Sequence, residues 1–450
     1  MSTSGVGTSV RGAMIWFSAS YAGAILGFLG VTAVAGRWLG PADFGSFVAA
    51  LAAAGLLGQI GLMGSHRSGL REVARLRDKD EPEAMAVLRN GVRAVSLTTL
   101  PAAGLVGGVA AAVLVDGDEV WQRFALGVVL AALVVVTGQQ QLWANYVRGL
   151  GHVRFASLLE GRSGGAFVAA LQAGSVLAVW LLAPATGLVG ALAAVCAGYL
   201  VPLLIARSVV RRRWRGLGGP RPRLWRDLRM TVRRDWRFLS GQVATYLNVS
   251  IEIWIASLLL SSVDTSMYTA GQRLALLLVL PLTALQVVFA PVIARAGRQA
   301  HDDGSLERLL RTGATVATGM TLLLALPFVV APGLVVDLVY GPGFRAAVPV
   351  LLLVSIGSFG NVATGMAGTA LSMLGREGVS ARVQWAGAVL RVAIGVPAAL
   401  AFGLMGLTVS ALTVSVFVFT LMWWRTRRNL GLSTHATLRP ELSLLARTSG

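Results

Sequence analysis

Apolar residues in this chain gather into twelve long runs, and polar residues fall almost entirely between them. The runs cover residues 13–34, 44–63, 92–115, 124–143, 158–183, 188–210, 238–260, 268–293, 312–331, 348–372, 383–402 and 406–424. A helix rising 1.5 Å per residue needs roughly 20 residues to cross the hydrocarbon core of a bilayer, so each run has spanning or near-spanning length. The pattern predicts an all-α membrane protein of about twelve transmembrane helices.

The gaps alternate in character. The odd ones (36–43, 116–122, 184–187, 261–266, 332–347 and 403–405) are short and nearly free of positive charge, whereas the even ones and the two tails hold most of the 39 basic residues. Positive charge marks the cytoplasmic side of a spanning chain. Both termini and every even gap are therefore expected in the cytoplasm. The run that follows Arg11 is longer than a signal-peptide core of about 7–15 residues, and it reads as an uncleaved first span.

Three landmarks recur in the same order. Asp43-Phe44-Gly45 opens the second run as Asp264-Thr265-Ser266 opens the eighth, 221 residues later. Leu150-Gly151-His152 and Leu374-Gly375-Arg376 are 224 apart, and Gly187-Leu188-Val189-Gly190 and Gly403-Leu404-Met405-Gly406 are 216 apart. The chain is thus expected to be two six-helix bundles (1–210 and 238–430) joined by a linker (211–237), with a tail at 431–450. Six is even, so both halves begin on the same side. The repeat is then parallel, its pseudo-twofold axis along the membrane normal, an arrangement familiar in alternating-access transporters. In the linker, Trp225, Leu228, Val232, Trp236 and Leu239 follow helical spacing beside Arg226, Arg229, Arg233 and Arg237. That pattern predicts a helix in the headgroup layer, with guanidinium groups among anionic lipids. Trp143, Tyr146, Trp423 and Trp424 at one set of run ends, and Trp121 and Trp180 at the other, read as interfacial aromatics. Gly23-x-x-x-Gly27 and Gly104-x-x-x-Gly108 read as close helix packing.

Composition narrows the function. The chain is 55% hydrophobic and 13% charged, with a mean hydropathy of +0.70; soluble domains carry about 25% charged residues. The net charge of +19 follows from membrane orientation and does not call for nucleic acid. Arginine almost wholly replaces lysine (Lys79 is the one exception), which reads as GC-rich coding and points to a bacterial inner membrane. Cys196 is the single cysteine, so no internal disulfide or thiolate metal site exists. There is no Walker loop, and His66, His152, His301 and His435 are too scattered for a metal pair. Asp78-x-Asp80 and Asp116-x-Asp118 read as solvated loop charge. No catalytic residue, metal or cofactor is called for.

Polar groups inside the apolar runs are the informative ones, because a charge at mid-bilayer costs about 2.5–3.5 kcal/mol on insertion scales. Asn248 and Glu252 share a face of the seventh run, Arg273 lies a turn into the eighth, and Arg391 is near the middle of the eleventh. Glu252 and Arg273 either bond to each other across two helices or meet a substrate or ion. Arg391 has no acid in its own run and reads as a cation lining a cavity. Glu160 and Arg162, near the mouth of the fifth run, are close enough to its end to snorkel.

The segment Gly36-Arg37-Trp38-Leu39-Gly40-Pro41-Ala42-Asp43-Phe44-Gly45, with Gly61-Leu62, resembles the polysaccharide-transporter branch of the multidrug/oligosaccharidyl-lipid/polysaccharide exporter superfamily. Asp264…Tyr268-x-Ala270…Arg273-Leu274, Ala290-Pro291 and Tyr340-Gly341-x-Gly343-Phe344…Ala347 extend that resemblance over roughly residues 10–430. The resemblance implies a MATE-like fold of two bundles in a V around a central cavity. It also implies flipping of a lipid-linked oligosaccharide, with polysaccharide polymerase or assembly proteins as partners. Arg273 and Arg391 would meet the pyrophosphate, with Arg37 in the first turn as a further candidate. The alternatives are a cation-coupled drug exporter, whose branch tends to place carboxylates in the cavity, and a non-transporting scaffold for glycan assembly.

Overall fold

The computed structural model describes residues 4–77, 81–114, 120–159, 165–215, 217–218, 220–296, 304–437 and 440–441. Among these, every regular element is helical. They are α1 (Ser4–Gly61), α2 (Ser65–Arg77), α3 (Pro82–Leu97), α4 (Thr99–Leu114), α5 (Val120–Gly149), α6 (Val153–Leu159), α7 (Ala166–Leu182) and α8 (Gly187–Trp214). There follow α9 (Leu224–Leu259), α10 (Ser262–Ala275), α11 (Leu280–Ala296), α12 (Ser305–Val330), α13 (Pro332–Val339), α14 (Val348–Thr364), α15 (Ala367–Met373) and α16 (Glu377–Leu430). Nine helical stretches among the described residues are long and apolar enough to cross a membrane. Two of these contain a glycine break that divides them: Gly40 at φ 65° in α1 and Gly403 at φ 58° in α16. Only glycine enters that region without strain, so each long helix turns where an odd gap was expected. Helix α7 is apolar but only 17 residues long.

The landmark glycines take matching backbone conformations. Gly187 (φ 52°, ψ −137°) and Gly403 (φ 58°, ψ −140°) have nearly the same backbone conformation, each starting a helix at an odd gap. Gly151 and Gly375 both have positive φ, 93° and 75°. After them, His152 N–H reaches back to Val147 O (3.3 Å) and Arg376 N–H to Leu371 O (2.8 Å). That six-residue closure is the Schellman cap, which satisfies carbonyls left open at a helix end.

The chain divides into two compact units, Ala19–Tyr246 and Leu247–Gly450 with Met1–Ser18. In the first, Gly27 of α1 packs on Ala169 of α7, and Gly108 of α4 packs on Gly127 of α5. Both glycine pairs read from the sequence therefore act as close-packing sites. Trp143 and Tyr146 do not sit in an interfacial belt. They are 5% and 0% exposed, and they stack edge-on with Trp214 at 5.6 and 5.8 Å, beneath α2. Trp121 (71% exposed) and Trp424 (41%) do face outward, the latter under the guanidinium groups of Arg425 and Arg428.

The linker is helical along the predicted stripe, and the helix does not end there. Helix α9 runs unbroken from Leu224 to Leu259, so the linker helix and the seventh run form one rod of 36 residues. Trp225, Trp236, Arg226, Arg229 and Arg233 face outward while Asp227 and Asp235 are buried. Asp227 accepts from Arg223 N–H (2.8 Å), and Asp235 takes two bonds from Arg234 (2.7 and 3.0 Å). Helix α3 pins the preceding segment, through Arg89 to Leu217 O (3.2 Å) and Asn90 to Pro220 O (3.0 Å).

In the second unit, the Tyr340-Gly341-x-Gly343-Phe344 segment folds two rings inward, 2% and 1% exposed, with centroids 5.4 Å apart. Gly341 takes φ 99° to allow the turn. Arg345 forks onto Asp337 above it (2.6–3.1 Å) and holds that carboxyl below the usual carboxylate range. Residues 431–437 and 440–441, after α16, form a strap across one end of this unit. Thr434 Oγ1 donates to Thr364 O (2.8 Å) and Ala436 N–H to Ala363 O (2.9 Å), both on α14. Thr437 exchanges two bonds with Thr315 of α12 (2.8 and 3.0 Å), and Glu441 N–H reaches Thr312 (3.1 Å). Trp423 on α16 donates to His435.

Candidate functional site

Asn248 and Glu252 are four residues apart on α9, so they stand one turn above the other on a single face. Helix α16 brings Arg391 to that face, in the half of α16 before the Gly403 break, and Ser415 in the half after it. Close approach depends on glycine. A Cβ on Gly387, one turn before Arg391, would lie 2.7 Å from both Asn248 Oδ1 and Val418 Cγ2. One on Gly395, a turn after, would lie 3.3 Å from Ile255 Cδ1. The seat for the arginine is therefore Gly387-x-x-x-Arg391-x-x-x-Gly395.

The guanidinium is bonded on three sides. Its Nη1 donates to Glu252 Oε1, its Nε to Asn248 Oδ1 (3.3 Å) and its Nη2 to Ser415 Oγ (2.9 Å). Asn248 is aimed by its own amide, which donates to Gln384 O (2.6 Å) on α16. Arg391 is 8% exposed and Glu252 2% exposed, so a formal ion pair is shut inside an apolar helix bundle. Desolvating two charges is expensive and is repaid only by close pairing and further hydrogen bonds. Three such bonds reach the arginine. On the acid side, Glu252 Oε2 is buried without a hydrogen-bond partner.

The acid shown bonded to Arg391 thus comes from another helix, a contact spacing within one run does not reveal. Glu252 had been expected to face Arg273 or a ligand; the bond it makes is to Arg391. Arg273 is buried on α10 at 8% exposure, and its neighbour Gln272 donates to Val249 O of α9 (3.4 Å). Arg37 is exposed, one turn before the Gly40 break. Glu160 and Arg162 lie outside the described residues, as do Asp78, Asp80, Asp116 and Asp118. Ser415 and the paired glycines escaped the sequence reading; the small-x-x-x-Arg-x-x-x-small spacing in run eleven was the available signal. Among the described residues no three His, Cys, Asp or Glu side chains gather as a metal site.

Comparison with solved structures places the fold among polytopic membrane transporters. A mutant form of the Vibrio cholerae MATE transporter VcmN matches with a TM-score of 0.62 at 14% identity, over 94% of this chain and 98% of that one. A MOP-superfamily transporter from Pyrococcus furiosus matches at 0.53 and 13% identity, over 94% and 96%. An outward-facing multidrug-resistance MATE transporter matches at 0.51 and 16% identity, over 94% and 96%. At such identities the likeness establishes the fold, which is that of the MATE transporters. No curated protein matches the sequence. Residues 9–296 match the model of the polysaccharide biosynthesis protein family, and the chain belongs to that family. It is a multi-pass membrane protein, and the solved structures that it resembles are transporters.

Proposed function

We propose that this protein moves a lipid-linked oligosaccharide, a polyprenyl-pyrophosphate glycan, across the bacterial inner membrane. Both termini and the arginine-rich gaps would lie in the cytoplasm. The observation that carries the reading is the joining of a MATE transporter fold to a polysaccharide biosynthesis family. An anionic sugar-pyrophosphate head cannot cross hydrocarbon unaided, whereas its polyprenyl tail is at home there. Arg391 and Arg273 are buried cations inside helices of spanning character, and Asn248 and Glu252 stand beside the first of them. A guanidinium offers a planar fork of donors that suits phosphate oxygens. Alternating access of the site would carry the head group between the two faces.

Mass spectrometry of polyprenyl-linked lipids, in cells with and without the protein, tests this. Accumulation of a finished lipid-linked glycan on removal supports it and identifies the glycan. No accumulation, in cells without a redundant flippase, overturns it.

A second reading is favoured by Glu252 itself, a carboxylate buried in the seventh run with one oxygen unsatisfied. Carboxylates in such positions suit cation-coupled export of drugs or other small molecules. Ion-linked efflux lost on Glu252→Gln, with glycan export unchanged, would select that reading.

A further inference from the structure

We infer that Glu252 is a built-in counter-anion that occupies Arg391 in place of substrate, and that an incoming phosphate group must displace it. The inference rests on the reading of this cluster as the pyrophosphate contact.

Three observations carry it. First, the cluster of Arg391, Glu252, Asn248 and Ser415 has no net charge: one guanidinium, one carboxylate and two neutral side chains. A cation that recognises anions is already neutralised. An added anion would leave the cluster negative, in surroundings where uncompensated charge is costly, unless the resident carboxylate gives way. Second, Glu252 is held from one side only. Its Oε1 meets Arg391 while its Oε2 is buried with no partner. A carboxylate serving purely as a structural lock normally has both oxygens satisfied, because a half-satisfied buried network is worse than an apolar one. Third, the neutral partners are arranged to keep the arginine in place when the acid leaves. Asn248 is fixed to Gln384 O and holds Nε, and Ser415 holds Nη2. The guanidinium would stay oriented, with its Nη1 edge vacated for a phosphate oxygen.

The exchange swaps one anion for another on the same cation and needs no covalent step. It also gives selectivity. A neutral lipid or free sugar cannot compete with a carboxylate for a guanidinium, whereas a pyrophosphate, with several oxygens for the donor fork, can.

The test is binding of geranylgeranyl pyrophosphate to the purified full-length protein in detergent, with geranylgeraniol as the neutral control. Glu252→Gln keeps the size of the side chain and removes the competing charge. It is expected to bind the pyrophosphate at least tenfold more tightly than wild type. Arg391→Gln is expected to lose the binding, and the double variant to behave like Arg391→Gln. Geranylgeraniol binding should be unmoved throughout. A structural lock would predict the opposite sign, since losing it loosens the site and weakens binding. Unchanged or weaker pyrophosphate binding by Glu252→Gln therefore overturns the proposal. Should that variant fail to fold, Glu252→Asp serves: the carboxylate is drawn back by one methylene, and an intermediate gain in affinity is expected, no gain being fatal. The two readings fail separately. A gain of affinity without glycan accumulation in cells lacking the protein leaves the exchange intact for another anionic amphiphile. Accumulation without a gain removes the exchange and keeps the glycan.

Discussion

Trp423 Nε1 donates to His435 Nδ1 at 3.1 Å, and the indole and imidazole meet edge to face at 5.5 Å. The acceptor nitrogen must be unprotonated, so this bond belongs to neutral histidine. Burial, then the nearby Arg311 and Arg427, push His435 below its ordinary value, against a smaller opposing pull from Glu307.

A depressed histidine contributes stability that is complete above the unfolded value of about 6.5 and is lost as pH falls below it. The strap should therefore loosen in acid. Amide protection at Ala436 and Thr437, each exchange rate taken relative to the free-peptide rate at the same pH, is expected to be high at pH 8 and markedly lower at pH 5. His435→Phe, which keeps the ring contact but cannot protonate, should flatten that difference. His66, in α2, is pushed down to about 3 by burial and by Arg67. It adds acid sensitivity to the first unit, which is why the readout must be local to the strap.

Gly365, at φ 77°, lies directly under Thr434 O. Gly365→Ala both strains the backbone and fills the space of the strap, so the tail should be cleaved readily by protease at pH 8, where wild type is protected. Gly360→Ala, on the same helix with open space around it, is the control and should leave the tail protected.

Gly387→Ala puts a methyl within 2.7 Å of Asn248 Oδ1 and Val418 Cγ2. Overpacking of this kind costs about 1–3 kcal/mol, and the melting temperature of the detergent-solubilised protein should fall. Gly395→Ala, whose nearest neighbour is the end of the Ile255 side chain at 3.3 Å, should cost less.

In the turn at Tyr340-Gly341, the rings and not the ion pair are expected to carry stability. Phe344→Ala empties a fully buried site and should cost about 3–5 kcal/mol. Asp337→Asn removes the partner of an exposed arginine and should leave the melting temperature nearly unchanged, as is usual for surface pairs.

The helical class and the glycine turns were legible because apolar runs and positive-φ glycines are local signals. Gly187 and Gly403 start helices in nearly one conformation, and Gly151 and Gly375 end them with the same cap. Long-range partners were not legible. Trp143 and Tyr146 sit at the end of a run, where an interfacial role is the usual reading; they are buried because Trp214 and α2 cover them. Arg391 and Glu252, 139 residues apart, meet only through packing of α9 on α16. The strap was invisible for a similar reason. Ala436, Thr437 and Glu441 bond through backbone groups, which every residue carries, and the Thr434 hydroxyl meets a backbone carbonyl, so little in their identity announces the contact.

The strap also bears on the order of assembly. Its bonds join residues 70 to 129 positions apart: Thr434 to Thr364, Thr437 to Thr315 and Glu441 to Thr312. Closing such long loops is entropically slow and waits for the nearer contacts to form. During synthesis, α12 and α14 are complete more than seventy residues before Glu441 exists. Until translation reaches that point, Thr312, Thr315 and the carbonyls of Ala363 and Thr364 lack the partners that will cover them. The second unit is thus sealed by a segment made well after the helices it covers, so the sealed end forms late in the synthesis of that unit.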